Sequence, residues 1–395
     1  MGLIIEQVAL LLLVAAIVAI IARHLRLPYT VGLVLAGLLL PFFPAVSDLA
    51  LTKDVIFKVF LPPLIFEAAF QMDWRSFCRQ LPVTLSLATV GILLAATLVT
   101  LGLHFILGWQ WQNAMVLSIL IAATDPVSVI ATFKEAGVHG RLQMLVESES
   151  LLNDGTAAVL FTVALTVVGG ESMSFTSLSI GFLTTFFGGI VVGAALGWAA
   201  GWLAGRSDDH LVEITATTLA AYGAFLGAEH FGVSGVMATL TAGVVLGNAQ
   251  VNCSISGKGR ELIISFWEYV AFVANSIIFL LIGLHLSREH INEAWMPSLI
   301  VIALVLAGRA LAVYGCCLPF SASRLRVPLS HQHILFWGGL RGALALALVF
   351  GLPEDFQNRT LLSTVTFAVV AFSVIVQGIT MPMLLKKYNL IGSEI

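Results

Sequence analysis

The stretch Ile119-Leu120-Ile121-Ala122-Ala123-Thr124-Asp125-Pro126-Val127 decides the fold. Five apolar residues run into a hydroxyl, a carboxylate and a proline, and then the apolar character resumes. Proline lacks a backbone donor and clashes with the preceding turn, so a helix through this stretch breaks here. A second apolar stretch is interrupted at Gly338-Gly339-Leu340-Arg341-Gly342, where three glycines weaken the helix around one charge. A carboxylate in hydrocarbon costs roughly 2.5–3.5 kcal/mol on insertion scales, so it persists where it binds or moves something. Each break therefore combines a backbone defect with an ionisable residue.

The surroundings of these breaks are a membrane protein. The 395-residue chain is 59% hydrophobic and only 10% charged, where soluble domains carry about 25% charged residues. Its mean hydropathy is +1.00. The run from Leu3 to Ala22 spans a bilayer and lacks both a preceding basic stretch and a small-residue cleavage site, so it reads as a first helix. About thirteen spans follow from apolar run lengths, near 3–22, 29–44, 51–70, 80–107, 113–132, 143–168, 177–205, 211–230, 233–250, 261–286, 296–318, 330–351 and 360–385. With the N-terminus outside and the C-terminus cytoplasmic, thirteen Lys and Arg fall on inner loops and the tail, among them Arg23, Arg26, Arg75, Arg79, Lys134, Arg141, Arg206, Lys258 and Arg260. Only Lys53, Arg288 and Arg359 fall outside, the bias that sets membrane orientation. The net charge of −3 implies no nucleic acid or other strongly charged partner.

The breaks lie in spans 5 and 12, seven apart, so the two helices run in opposite directions. That is the requirement of an inverted-topology repeat, with spans 1–6 related to 8–13 and span 7 as connector. Broken helices in corresponding positions of two halves point to a transporter's midplane site. Half-helix ends there offer free carbonyls to a cation and dipoles to buried charges.

Span 6 supplies the remaining chemistry in Glu149-Ser150-Leu151-Leu152-Asn153-Asp154. Ser150 and Asp154 are one helical turn apart on one face, and Glu149 and Asn153 share the neighbouring face. Asp154, Ser150, Asp125 and a freed carbonyl near Thr124 would make the all-oxygen shell that an alkali cation prefers. Burial and the second carboxylate both favour the protonated form of Asp154. Such a group holds a proton or a cation but hardly both, which is sufficient for antiport.

Buried Arg341 requires a partner, since an unpaired charge is very expensive there, and Glu149 is the expected one. Arg309 in span 11 is then left to Glu147 or Glu213. Glu67, after Pro62-Pro63, and Glu268 read as pairing or helix-end residues. Span 7 carries Gly189, Gly193, Gly197, Gly201 and Gly205, a smooth groove for close helix packing. His331, His333 and His139 read as solvated interfacial side chains. The four cysteines, Cys78, Cys253, Cys316 and Cys317, show no metal-ligand spacing. There is neither a His-Glu-x-x-His motif nor a Gly-x-Ser-x-Gly elbow, so nothing points to a hydrolase.

Ala123-Thr124-Asp125-Pro126 followed by Glu149-Ser150-Leu151-Leu152-Asn153-Asp154 resembles the signature of the electroneutral monovalent cation:proton antiporters of the NhaP and NHE type. Leu61-Pro62-Pro63, Val233-Ser234-Gly235-Val236, Phe266-Trp267-Glu268, Gly308-Arg309-Ala310-Leu311 and Gly338-Gly339-Leu340-Arg341-Gly342 extend the resemblance, in order, over essentially the whole chain. It implies an all-α polytopic homodimer in which a core bundle slides against a scaffold. On that reading helices of 1–73 and 211–286 are scaffold, those of 80–168 and 296–385 are core, and 177–205 connects them. It implies that Asp154 binds Na⁺ and H⁺, with Asp125, Ser150 and Thr124 contributing, that Asn153 holds the broken helix and that Glu149 pairs with Arg341. No cofactor is implied beyond the transported ions.

Related electrogenic antiporters place a second Asp where this chain has Asn153. An amide cannot carry the additional proton, so one-for-one, electroneutral exchange of Na⁺ or Li⁺ for H⁺ is the expected activity. The alternatives are a K⁺/H⁺ antiporter of the same fold and, further off, a cation channel. The chain ends soon after span 13, without the long cytoplasmic tail of animal exchangers, which suggests a prokaryotic plasma-membrane protein.

Overall fold

The computed structural model describes residues 2–25, 27–42, 55–169, 174–207, 209–248, 257–288 and 291–391. Arg26, Lys53 and Cys253 lie outside the described residues, as do the side chains of Lys258 and Arg288. Among the described residues the regular structure is helical throughout, with no strand.

Helices occur in every stretch read as a span. They are α1 (Gly2–Leu25), α2 (Tyr29–Leu39), α3 (Leu61–Gln71), α4 (Trp74–Ser86), α5 (Ile92–Leu107), α6 (Trp111–Leu120), α7 (Val127–Ala136), α8 (Arg141–Val168) and α9 (Phe175–Ala204). There follow α10 (His210–His230), α11 (Gly235–Gly247), α12 (Gly257–Arg288), α13 (Ile291–Cys317), α14 (Leu329–Trp337), α15 (Ala343–Phe350), α16 (Arg359–Phe372) and α17 (Gly378–Lys387). Eight helical runs among the described residues are long and apolar enough to cross a bilayer, from Glu6–Leu25 to Arg359–Lys387. The other stretches hold shorter or broken helices: α2, α3, α11, the pair α6 and α7, and the pair α14 and α15.

Both expected breaks are present. The backbone leaves the helix after Leu120 and re-enters it at Val127, and again between Trp337 and Ala343. Two long runs carry a wider π turn, Leu87–Gly91 between α4 and α5 and Ser373–Gln377 between α16 and α17. The helix expected from residue 80 begins earlier, at Trp74. Asp73 accounts for the difference, its Oδ2 accepting from the Ser76 backbone N–H at 2.8 Å and capping a first turn too polar to register as a span.

The chain divides into two compact units, and the division falls inside α8, between Asn153 and Asp154. One unit comprises residues 1–53, 82–153 and 275–395 and contains both breaks. Its core includes Val129, Phe133, Leu145, Ile334, Leu335, Leu340 and Met381, so the half-helices α7 and α14 are packed into apolar surroundings. The other unit comprises 54–81 and 154–274. There the glycine stripe of α9 lies on α11: a side chain at Gly193 would collide with the Ala238 carbonyl, and one at Gly189 with that of Ser234. The stripe is therefore a packing surface. Trp267 is buried beside Phe66 in this unit and its indole N–H donates to Thr217 Oγ1 at 3.0 Å.

Candidate functional site

The two breaks meet through the backbone. The Asp125 N–H donates to the Leu340 carbonyl at 2.7 Å, joining one interrupted helix to the other. The Asp125 carboxylate then serves two half-helices at once. Its Oδ1 accepts from Val127 N–H, at the start of α7, at 2.9 Å, and its Oδ2 accepts from Ala343 N–H, at the start of α15, at 3.4 Å. Helix N-termini carry unsatisfied donors and a partial positive charge, so a carboxylate between two of them is favourable. The Oδ2 packs so close to Gly342 that any side chain at 342 would overlap it. Gly342 thus does more than weaken a helix, since its missing side chain is the space Asp125 occupies.

A second cluster lies at Thr124, opposite the middle of α8. Ser150 Oγ donates to the Thr124 carbonyl. Thr124 N–H donates to Asn153 Oδ1 at 3.2 Å, and Asn153 Nδ2 donates to Thr124 Oγ1 at 2.6 Å and to Glu149 Oε1 at 3.0 Å. The Thr124 hydroxyl points towards Glu149 Oε2 at 3.5 Å. All four residues are buried. The Thr124 N–H and carbonyl, which the break leaves without helical partners, are thus satisfied by side chains of α8. The Thr124 carbonyl, expected to be free for a cation, already accepts one hydrogen bond.

The ion pairing differs from the sequence reading. Glu149 pairs with Arg309, not Arg341: Arg309 Nη1 donates to Oε1 at 2.8 Å and Nη2 to Oε2 at 3.0 Å. Arg309 also donates to the Leu335 carbonyl, at 2.9 Å from Nη2 and 3.3 Å from Nε. The flat guanidinium fits this role because it can hold a carboxylate in a two-pronged bond and still reach a carbonyl. Gly339 makes the path possible, since a side chain there would meet Arg309 Nε. Glu147, one of the partners expected for Arg309, instead accepts from Gln143 at 2.7 Å. Arg341 turns back on its own segment, Nη1 donating to the Gly339 carbonyl at 2.7 Å. Its backbone N–H donates to Ser373 Oγ at 3.0 Å.

Asp154 follows Asn153 on α8, one turn beyond Ser150, and is half-buried, as is Asp125. The structure therefore joins Thr124, Glu149, Ser150 and Asn153 in one network and Asp125 with the second break, and it adds Arg309, Ser373 and Gln377. Glu67 and His333, also singled out in the sequence, have local partners. Glu67 accepts from Gln71 at 2.6 Å, and Glu268 is exposed. His331 is buried, and His333 Nδ1 lies 2.6 Å from the Tyr314 hydroxyl, so neither is a freely solvated side chain, whereas His139 is exposed. Ser373 and Gln377 are marked in the sequence only as two polar residues one turn apart in an apolar helix.

Comparison with known proteins bears on this arrangement. Residues 10–387 match the family described as sodium/hydrogen exchanger, transmembrane. The low-affinity Na⁺/H⁺ antiporter NhaS1 of Synechocystis sp. is 35% identical, over 98% of this chain and 76% of that protein. The Na⁺/H⁺ antiporter NhaH of Halobacillus dabanensis is 34% identical, over 98% of both chains. Among solved structures, the sodium proton antiporter MjNhaP1 from Methanocaldococcus jannaschii at pH 8 superposes with a TM-score of 0.78 at 23% identity, over 98% of this chain and 99% of that one. The fold is the same.

Proposed function

This integral membrane protein belongs to the sodium/hydrogen exchanger family, and we propose that it exchanges Na⁺ or Li⁺ for H⁺, one for one and without net charge movement. One observation carries the reading: two broken helices meet at Asp125, whose carboxylate accepts from the first N–H of both half-helices that follow the breaks. Such a meeting of broken helices supports a midplane ion site. The sodium/proton activity named for the relatives at 35% and 34% identity supports the choice of ions.

In this mechanism Asp154 carries either the cation or the proton, and Asp125, Ser150 and Thr124 complete the oxygen shell around the cation. Competition for one carboxylate couples the two fluxes, because an ion enters only when the proton has left. Asn153 is an amide that donates to Thr124 and Glu149, so it adds no second transported proton. Glu149 and Arg309 neutralise each other and tie α8 to α13. The protein works as a homodimer in a prokaryotic plasma membrane, N-terminus outside and C-terminus cytoplasmic. Helices of 80–168 and 296–385 carry the ion, those of 1–73 and 211–286 form the scaffold, and 177–205 joins them.

The test is cation-driven proton flux in proteoliposomes with an internal pH dye, at zero potential and at an inside-negative potential. Flux with Na⁺ or Li⁺ that ignores voltage is the expected result. Voltage-dependent flux would overturn the one-for-one count, and flux with K⁺ alone would replace the substrate. Folded protein that moves no protons would overturn antiport altogether.

A further inference from the structure

The break at 338–342 leaves backbone groups that α14 and α15 do not satisfy themselves. Two lie at its ends: the Trp337 carbonyl, at the last residue of α14, and the Arg341 N–H, just before α15 begins. Both find partners on the last helical run. Gln377 Nε2 donates to the Trp337 carbonyl at 3.0 Å, and Ser373 Oγ accepts from Arg341 N–H at 3.0 Å. Ser373 Oγ also lies 3.3 Å from the Arg341 carbonyl. Ser373 and Gln377 are only 2% and 3% exposed, so water does not compete for these bonds.

These two residues open and close the π turn Ser373–Gln377. A π turn is rare and local, and it recurs at functional sites because the extra residue re-aims the side chains around it. The next residue, Gly378, is the point of close approach to the other broken helix: a side chain there would press on Ser128 Oγ, in the first turn of α7. Between Trp337 and Arg341 sits Leu340, whose carbonyl takes the Asp125 N–H. The chain of contact thus runs from the π turn, through the break, to Asp125.

We propose that Ser373 and Gln377 are positioning residues for ion exchange, setting the shape of the 337–341 segment and, through Leu340, the placement of Asp125. The inference rests on the exchange function proposed above. Neither residue needs to touch the ion. Their loss alters cation affinity and the pH profile before it alters the amount of folded protein.

The experiment compares Ser373→Ala, Ser373→Thr and Gln377→Leu with the unmodified protein in proteoliposomes, measuring the apparent KM for Na⁺, the maximal rate and the pH profile. Ser373→Ala and Gln377→Leu are expected to raise KM, each on the order of fivefold, the equivalent of one neutral hydrogen bond. They should also displace the pH midpoint and change the maximal rate less. Ser373→Thr keeps the hydroxyl and should restore KM and midpoint towards those of the unmodified protein. Folding is checked by size-exclusion profile, and if Ser373→Ala does not fold, Gln377→Leu decides. Unchanged KM and pH profile in a folded variant would overturn the positioning role alone. So would a loss confined to maximal rate in proportion to folded protein. No exchange by unmodified, folded protein would overturn both this role and the proposed function.

Discussion

Removing the Glu149 carboxylate should strand Arg309, and the size of that effect follows from its partners. Glu149 takes both prongs of the Arg309 guanidinium and one bond from Asn153, at 2.8, 3.0 and 3.0 Å. All three residues are buried. Removing one partner of a buried ion pair costs about 3–5 kcal/mol, because the remaining charge keeps its desolvation penalty and loses its compensation. Spread over an unfolding entropy of about 2.1 cal/mol/K per residue, that is roughly a 4–6 °C fall in the melting midpoint of a chain this long. Glu149→Gln in detergent, followed by intrinsic fluorescence at one fixed scan rate, should show it. The decisive comparison is a double-mutant cycle. Glu149→Gln with Arg309→Met should cost less than the sum of the two single changes, since the stranded charge is gone. Glu149→Gln with Arg341→Met should be closer to additive. Strong coupling of Glu149 to Arg341, with additivity towards Arg309, would refute the pairing.

Three further outcomes follow from the same geometry. Gly342→Ala should abolish exchange and lower the melting midpoint, because the new methyl group overlaps the Asp125 carboxylate; transport assay and thermal melt check it, and normal activity would contradict the packing. Asn153→Asp should destabilise the protein by about 1–3 kcal/mol at neutral pH, since an ionised side chain cannot donate to Glu149 and repels it; melts at pH 5 and pH 8 should differ, with the acidic condition less affected. Asp73→Ala should cost about 0.5–1 kcal/mol by removing the cap of α4. Hydrogen bonds from the Ser76 side chain and backbone hold the Asp73 carboxyl below its usual range. The capping contribution is therefore present above the ordinary carboxylate pKa and fades as pH falls below it, so the difference between Asp73→Ala and the unmodified protein should shrink in acid.

Much of this molecule was legible from apolar run length and from two defects. Pro126 and the glycines at 338, 339 and 342 located both breaks, because a backbone defect is written in the residues that cause it. The glycine stripe of α9 was legible for the same reason, its spacing matching one face of a helix. The ion pair was not. Two arginines, Arg309 and Arg341, lie in different spans, and the choice between them depends on Gly339 opening a path for one side chain, which is a fact of packing. The π turns were invisible because nothing in Leu87–Gly91 or Ser373–Gln377 disfavours an ordinary helix. The early start of α4 was missed because Trp74–Arg79 is amphipathic and partly charged, so hydropathy registers it as loop. The double cap by Asp125 required knowing that the two half-helices begin at the same place.

We propose that one carboxylate, Asp154, holds either a proton or a cation. This is tested most directly by counting protons released when Na⁺ is added to weakly buffered, detergent-solubilised protein containing a pH dye, with Asp154→Asn as the comparison. Close to one proton released per Na⁺ bound is expected of the unmodified protein, and no release from a folded Asp154→Asn variant. Unaltered proton release from Asp154→Asn, or Na⁺ binding by the unmodified protein that displaces no proton, would contradict it.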